Sequence, residues 1–187
     1  MSNRCPWAKS ELEADYHDRE WGRPEHNDAR LFEMLILEGM QAGLSWSIIL
    51  KKREAMRLAF DGFDPRKMAE YGPAKEAELL ANPDILRSRT KIAALSLNAG
   101  AFLKVADEFG SFAAYLWAFV DGRPVVNHWS APDQVPAETE LSRALSRDLK
   151  KRGFKFVGPV ICYAYLQAVG LVNDHLISCD HHLLCQK

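Results

Sequence analysis

Apolar residues along this chain recur at intervals of three and four, and no stretch of strand length alternates with period two. Leu31, Met34 and Leu35 predict a helix capped by Asn27 or Asp28 and ending around Gly39 and Gly43. Ser45 can cap a second, with Trp46, Ile49, Leu50, Met56 and Phe60 on one side. Asp64-Pro65 opens a short third helix, Gly72-Pro73 closes it, and Asn82-Pro83 breaks the next. A longer helix is expected from about Ser88 to Asp107, striped by Ile92, Leu95, Ala99, Phe102 and Leu103. Phe112 to Val120 follows, and Asp121 to Pro124 is a turn. Residues 123–138 hold three prolines and little periodicity, so they read as a surface loop. Leu141, Leu145 and Leu149 mark a helix stopping at Gly153. A tight connection then leads to Pro159, well placed as the first residue of a helix ending at Gly170. The reading is all-α, a single domain over residues 1–187 built as closely packed helical lobes.

Length and composition agree with this reading. A chain of 187 residues with 48% hydrophobic and 26% charged side chains is long enough to bury a core and excludes a disordered or collagen-like polymer. No apolar run reaches the ~18 residues of a membrane span, and Met1 to Arg4 does not resemble a signal peptide, so a soluble cytoplasmic protein is expected. The net charge of −1 argues at first against a polyanionic partner. Its distribution argues otherwise. Residues 143–155 hold six basic and one acidic side chain, residues 86–104 four and none, and residues 51–57 four and one. These stretches carry +12 and leave −13 for the rest, a pattern that predicts an organised cationic face.

Glu38 shares a helix face with Leu31 and Leu35, which would bury its carboxylate. Such an acid is costly unless paired, and it titrates high. Periodicity alone equally allows a salt-bridged glutamate at the helix end. The link Gln41-Ala42-Gly43-Leu44-Ser45-Trp46 places an amide and an indole beside it. An aromatic slab next to a carboxylate suits a heterocyclic base, the ring stacking and the acid accepting from an exocyclic amine. Trp46 as core filler is the competing reading.

Cys5-x11-His17 and His175-x3-Cys179 supply two thiols and two imidazoles, the ligand set of a closed structural zinc site. The second pair shares a face if its stretch is helical. Unrelated buried cysteines and surface histidines are the alternative, and His181, His182 and Cys185 are further candidate ligands. The run Lys151 to Pro159, with Gly153, Lys155 and Gly158, joins two predicted helices. It can offer backbone N–H groups and a helix N-terminus to a phosphate, or be an ordinary cap and turn.

Several ordered blocks together resemble the 3-methyladenine DNA glycosylase I family, a branch of the helix-hairpin-helix glycosylases. They are Arg4-Cys5-Pro6-Trp7, Tyr16 to Gly22, Leu31 to Met34, Leu37-Glu38-Gly39, Gln41 to Trp46, Leu50 to Arg53, Lys151 to Cys162, and Leu171 to His175. The resemblance covers nearly the whole chain. It implies a helix-hairpin-helix fold and excision of 3-methyladenine from alkylated double-stranded DNA by hydrolysis of the N-glycosidic bond. It also implies Glu38 as the pocket acid, Trp46 as the stacking ring, Tyr16 as a hydrogen-bonding phenol, and Trp7 and Trp21 as further pocket walls. By the same resemblance Leu44 is a wedge, Gly153 to Pro159 is the phosphate-binding hairpin, and one structural zinc ion sits on Cys5, His17, His175 and Cys179. Many relatives in the wider superfamily carry a catalytic aspartate after the hairpin; here Asn173 occupies that place, so a monofunctional enzyme is expected. A non-catalytic, zinc-stabilised DNA-damage-binding module is the alternative. Keeping Glu38, Tyr16 and Trp46 argues against it, because phosphate binding needs none of them.

Overall fold

A computed structural model describes residues 3–186, and it is mostly helical. Helix α1 (Glu11–Arg19) opens on a capping box, in which Ser10 Oγ accepts from the Glu13 N–H and the Glu13 carboxylate accepts from the Ser10 N–H. Helix α2 (Asp28–Gln41) is the axis of the molecule. Its residues 34–40 are buried without interruption, which only a helix surrounded by others can afford. Around it lie α3 (Trp46–Ala59), α4 (Pro65–Met68), α5 (Pro73–Ala81), α6 (Arg89–Phe109) and α7 (Phe112–Trp117), then α8 (Glu140–Lys151), α9 (Pro159–Ala168) and α10 (His181–Leu184).

Asn27 and Asp28 divide the work expected of either. The Asn27 side chain caps α2, accepting from the N–H groups of Ala29 and Arg30. The Asp28 carboxylate instead accepts from the N–H groups of Phe112 and Ala113, both at 2.8 Å, and so anchors the start of α7 onto α2. Tyr165 Oη donates to the Leu31 carbonyl at 3.0 Å and ties α9 to the same helix. Gly170 (φ +75°) lets the chain after α9 press against residues 23–24, where a Cβ would sit 2.3 Å from the Arg23 carbonyl carbon.

The expected surface loop at 123–138 is a structural strap. Strand β1 (Val125–Val126) pairs in parallel with β2 (Val172–Asn173), and Trp129 O accepts from the Ile177 N–H at 2.9 Å. Two residues per strand are too few to print a period on the sequence.

The cationic face is also smaller than the +12 predicts. Arg53 is nearly buried and makes bonds of 2.8 and 2.9 Å to Glu20, with another of 2.8 Å to Glu33. Arg57 pairs with Glu33 and Glu54, Arg143 and Arg147 with Glu140, and Arg152 with Glu108 and Asp148. Arg53, Arg57 and Arg152 join elements, the end of α1 to α2 and α3 in the case of Arg53, whereas Arg143 and Arg147 are neutralised within α8. Lys51, Arg87, Arg89, Lys104, Lys150, Lys151 and Lys155 make no ion pair among the described residues, and they are the charges left for a partner. No helix of the described chain is long and apolar enough to cross a membrane.

Candidate active site and metal cluster

Tyr16 from α1, Glu38 and Gln41 from the last turns of α2, and Trp46 from the first residue of α3 converge on one cavity of about 250 Å³. Trp7 and Trp21 form further walls, and Ala164 and Gln167 of α9 line the remaining side. The pocket therefore gathers all five residues singled out for it. Gln41 was visible in the motif, whereas Ala164 and Gln167 carry no local signal. The aromatic rings stand at angles around the space: Tyr16 and Trp46 with centroids 5.3 Å apart at 49°, Trp7 and Trp21 at 5.0 Å and 71°.

The polar atoms of this pocket lack partners. Among the described residues five buried side-chain N or O atoms make no hydrogen bond, and four of them are here: Trp7 Nε1, Tyr16 Oη, Glu38 Oε2 and Trp46 Nε1. Leaving a buried donor or acceptor unmade costs about 1–3 kcal/mol each, so four in one cavity is a standing demand for a ligand. Burial alone pushes the Glu38 carboxyl up to about 8. The Tyr16 phenol is held well above its ordinary range by burial and then by Glu38, so it remains a donor.

Leu44 is 39% exposed in the turn between α2 and α3, between the pocket residues Gln41 and Trp46 in sequence, and does not itself line the cavity. Lys91 of α6 fixes that turn from behind, donating to the carbonyls of Met40 (2.8 Å) and Ala42 (2.6 Å) at the C-terminal end of α2.

Cys5, His17, His175 and Cys179 come together, buried, with ligand atoms all within 4.8 Å of one another. Sγ to imidazole nitrogen separations are 3.5–3.6 Å. A tetrahedral ion with M–S near 2.3 Å and M–N near 2.05 Å requires S···N edges of about 3.6 Å, which these three separations match. The tautomers agree. His17 Nδ1 faces the Asp18 carboxylate at 2.8 Å and must donate to it, which turns Nε2 toward the sulfurs. His175 Nε2 donates to Trp21 O at 3.1 Å, which leaves Nδ1 for the cluster. Burial holds the His175 imidazole neutral, lowered to about 3.

The stretch 175–179 is a turn, not a helix, closed by the Cys179 N–H donating to Leu176 O at 2.8 Å, and the turn brings the pair onto one site. His182 and Cys185 stand outside the cluster, and His181 flanks it, facing Asp18 at 3.3 Å and packing its ring against His17 (5.1 Å) and His175 (5.7 Å). Gly22 is required here, since a Cβ would meet His175 Nε2 at 2.7 Å. The cluster also backs the pocket: Trp21 packs edge-on against His175 (4.6 Å) and Trp7 against His17 (5.4 Å).

The α8–α9 connection turns through Gly153 (φ +95°), buries Phe154 and Val157, and leaves Lys155 exposed. Gly158 occupies the N-cap of α9 with Pro159 as its first residue. The N–H groups of Phe156, Val157 and Gly158 make no hydrogen bond among the described residues. Asn98 of α6, which no sequence signal marks, grips the loop by accepting from Lys155 N–H (2.7 Å) and donating to Lys155 O (3.1 Å). Asn173 does not reach the cavity; its side chain donates to His182 O and accepts from the His175 N–H.

A helical protein with unpaired donors and a buried acid inside an aromatic cage has a cavity shaped for a flat polar heterocycle. Known proteins narrow this further. Residues 7–182 match the methyladenine glycosylase family model. The DNA-3-methyladenine glycosylase of Haemophilus influenzae is 46% identical over 180 residues, covering 96% of this chain and 97% of that protein. A crystal structure of 3-methyladenine DNA glycosylase I superposes with a TM-score of 0.92 at 48% identity, covering 95% of this chain and 98% of that one. Another, of a tyrosine-to-phenylalanine variant in complex with 3-methyladenine, gives 0.93 at 35% identity, covering 100% and 98%. The chain belongs to the methyladenine glycosylase family.

Proposed function

We propose that this protein removes 3-methyladenine from alkylated double-stranded DNA in base-excision repair, as a monofunctional hydrolase that leaves an abasic site. The observation that carries the reading is Glu38, buried and unpaired among aromatic rings. Methylation at N3 makes the nucleoside's purine cationic. A cation entering the cage gains cation–π attraction from Trp46 and its neighbours and restores Glu38 to the carboxylate. Glu38 is thus neutral at pH 7 in the empty pocket and charged when the damaged base fills it, which selects against uncharged normal purines. Tyr16 Oη donates to the base. The C1′–N9 bond then breaks with its electron pair passing to the purine, cancelling the positive charge, and water adds to C1′ and loses a proton to solvent. A leaving group already activated by its charge needs little acid catalysis.

The whole chain serves as a single domain for this reaction. The target base is flipped out of the duplex, with Leu44 filling the vacated stack. The α8–α9 segment acts as a helix-hairpin-helix, its free N–H groups at 156–158 and Lys155 meeting a phosphate, with Gly153 and Gly158 allowing the close approach. Cys5, His17, His175 and Cys179 hold one zinc ion, a structural staple between distant segments and a support for Trp7 and Trp21. With its four ligands the site is closed, so it takes no part in the chemistry. A cytoplasmic location suits these roles.

Incubating methylated DNA with the protein and measuring released base tests the reading. Release of 3-methyladenine is expected, and none would leave a damage-binding module. Glu38→Gln is expected to lose binding of free 3-methyladenine in proportion to its lost rate. Intact binding with lost turnover would instead make Glu38 the activator of water. Mild chelation is expected to lower the melting temperature and the activity together. Activity lost at an unchanged melting temperature would overturn the structural role of the metal.

A further inference from the structure

Gln167 is a pocket residue whose orientation is dictated from outside the pocket. Its Nε2 donates to Asp174 Oδ2 at 2.8 Å. Asp174 also accepts from Asn127 Nδ2 and Trp129 Nε1, each at 2.7 Å, and from Tyr163 Oη. Asp174 already serves as the shared acceptor of an indole N–H, an amide NH₂ and a phenol, so turning the Gln167 oxygen toward it would set acceptor against acceptor. Gln167 therefore presents Nε2 to Asp174 and its carbonyl Oε1 elsewhere. Asp174 lines a second cavity, of about 320 Å³, which lies on the far side of Trp7, Trp21 and Gln167. It does not line the first. With Nε2 held on Asp174, Oε1 is the amide atom left to meet a ligand in the first cavity, which Gln167 also lines. No donor of the described protein reaches Gln167 Oε1.

We propose that Gln167 is a specificity-determining residue: its fixed carbonyl accepts an N–H from the exocyclic amine of the bound base, and Asp174 is the positioning residue that fixes it. This rests on the excision reading above. The other polar side chains of the cage are the donors Tyr16 Oη, Trp7 Nε1 and Trp46 Nε1, the Glu38 carboxyl, and the Gln41 amide, for which no orienting partner of this kind is found among the described residues. An amine offers two N–H groups, and Glu38 satisfies one of them. A permanent acceptor for the second distinguishes an adenine-type base from a guanine-type base, which has a carbonyl oxygen at the same ring position and would set oxygen against oxygen. A flippable amide would lose this discrimination by turning its NH₂ inward. The Asp174 network prevents the turn.

The test uses the full chain and two free bases, 3-methyladenine and 3-methylpurine, which lacks the amine. Dissociation constants are measured for the wild type and for Gln167→Met, which keeps the length of the side chain without the amide. The wild type is expected to bind 3-methyladenine more tightly, and Gln167→Met to weaken that binding about tenfold while leaving 3-methylpurine unchanged. Asp174→Asn, which permits the amide to flip, is expected to narrow the same ratio at a temperature where circular dichroism shows it folded. Equal losses for both bases, or no loss for either, would overturn the proposal, because a packing role cannot distinguish the two ligands. Release of 3-methyladenine from methylated DNA by the wild type is run alongside, and its absence would count against the excision reading.

Discussion

Glu38 and Asp174 are carboxylates buried to nearly the same depth, 4% and 3% exposed, yet their surroundings are opposite. Four side chains converge on Asp174, drawn from the strap at 127–129 and from α9, and every donor is placed on it. No side chain converges on Glu38, although Tyr16, Trp7 and Trp46 stand around it with unused donors. A saturated buried acid is scaffold, since its desolvation is offset within the protein. An unsaturated one is a site, because its offset must come from outside. Burial without a partner also pushes the Glu38 carboxyl up to about 8.

The contrast is broken most strongly by Asp174→Ala. It strands Asn127, Trp129, Tyr163 and Gln167, and a loss of about 3–5 kcal/mol in urea unfolding is expected, as for other buried polar networks deprived of one member.

Glu38→Gln should act in the opposite direction. The folded state raises the Glu38 pKa from the ordinary 4.5 to about 8, so wild-type stability is full below about pH 4.5 and falls as pH rises through 8. The glutamine variant carries no such penalty. It is therefore expected to be more stable than the wild type by about 3 kcal/mol at pH 7, with the two converging near pH 4. Melting curves across that range check the sign, and a variant less stable than the wild type at pH 8 would contradict an unpaired Glu38.

Gly22→Ala tests how far the metal cluster supports the pocket. Its Cβ would meet His175 at 2.7 Å in a left-handed backbone conformation, and a loss of about 1–3 kcal/mol is expected with faster metal loss to a chelator. The smallest effect belongs to the hairpin. Lys155→Ala is expected to weaken undamaged duplex binding by less than about tenfold, uniformly across sequences, and to reduce the salt slope by about 1 while leaving free-base binding intact.

Much of this was legible along the chain. Apolar spacing placed α2, α3, α6 and α8, and Pro65 and Pro159 marked the starts of α4 and α9 correctly because proline is tolerated at the first helical position. Helix α1 was signalled too, by Ser10 and Glu13 three residues apart, a capping box that hydrophobic periodicity passes over. The blocks around Tyr16, Glu38 and Trp46 named residues that the fold brings to one cavity.

Other features have no local imprint. The strap at 123–138 pairs through two residues only, and its purpose is set by Asp174 some 45 positions away. Asn98 shows no sign of gripping Lys155 until α6 is packed beside the hairpin. The cationic stretches looked like one face because charge is counted along the chain, whereas pairing is decided in space: Arg53, Arg57 and Arg152 fasten one element to another, and Arg143 and Arg147 are neutralised by Glu140 within α8.

The sequence by itself determined the helices, the identity of the pocket acid and rings, and the two thiols and two imidazoles, since each depends on residue type and short-range spacing. Only the tertiary structure decided which buried carboxylate would be satisfied and which left waiting. Hydrogen-bond satisfaction is a property of distant groups meeting in space, and no residue carries it alone.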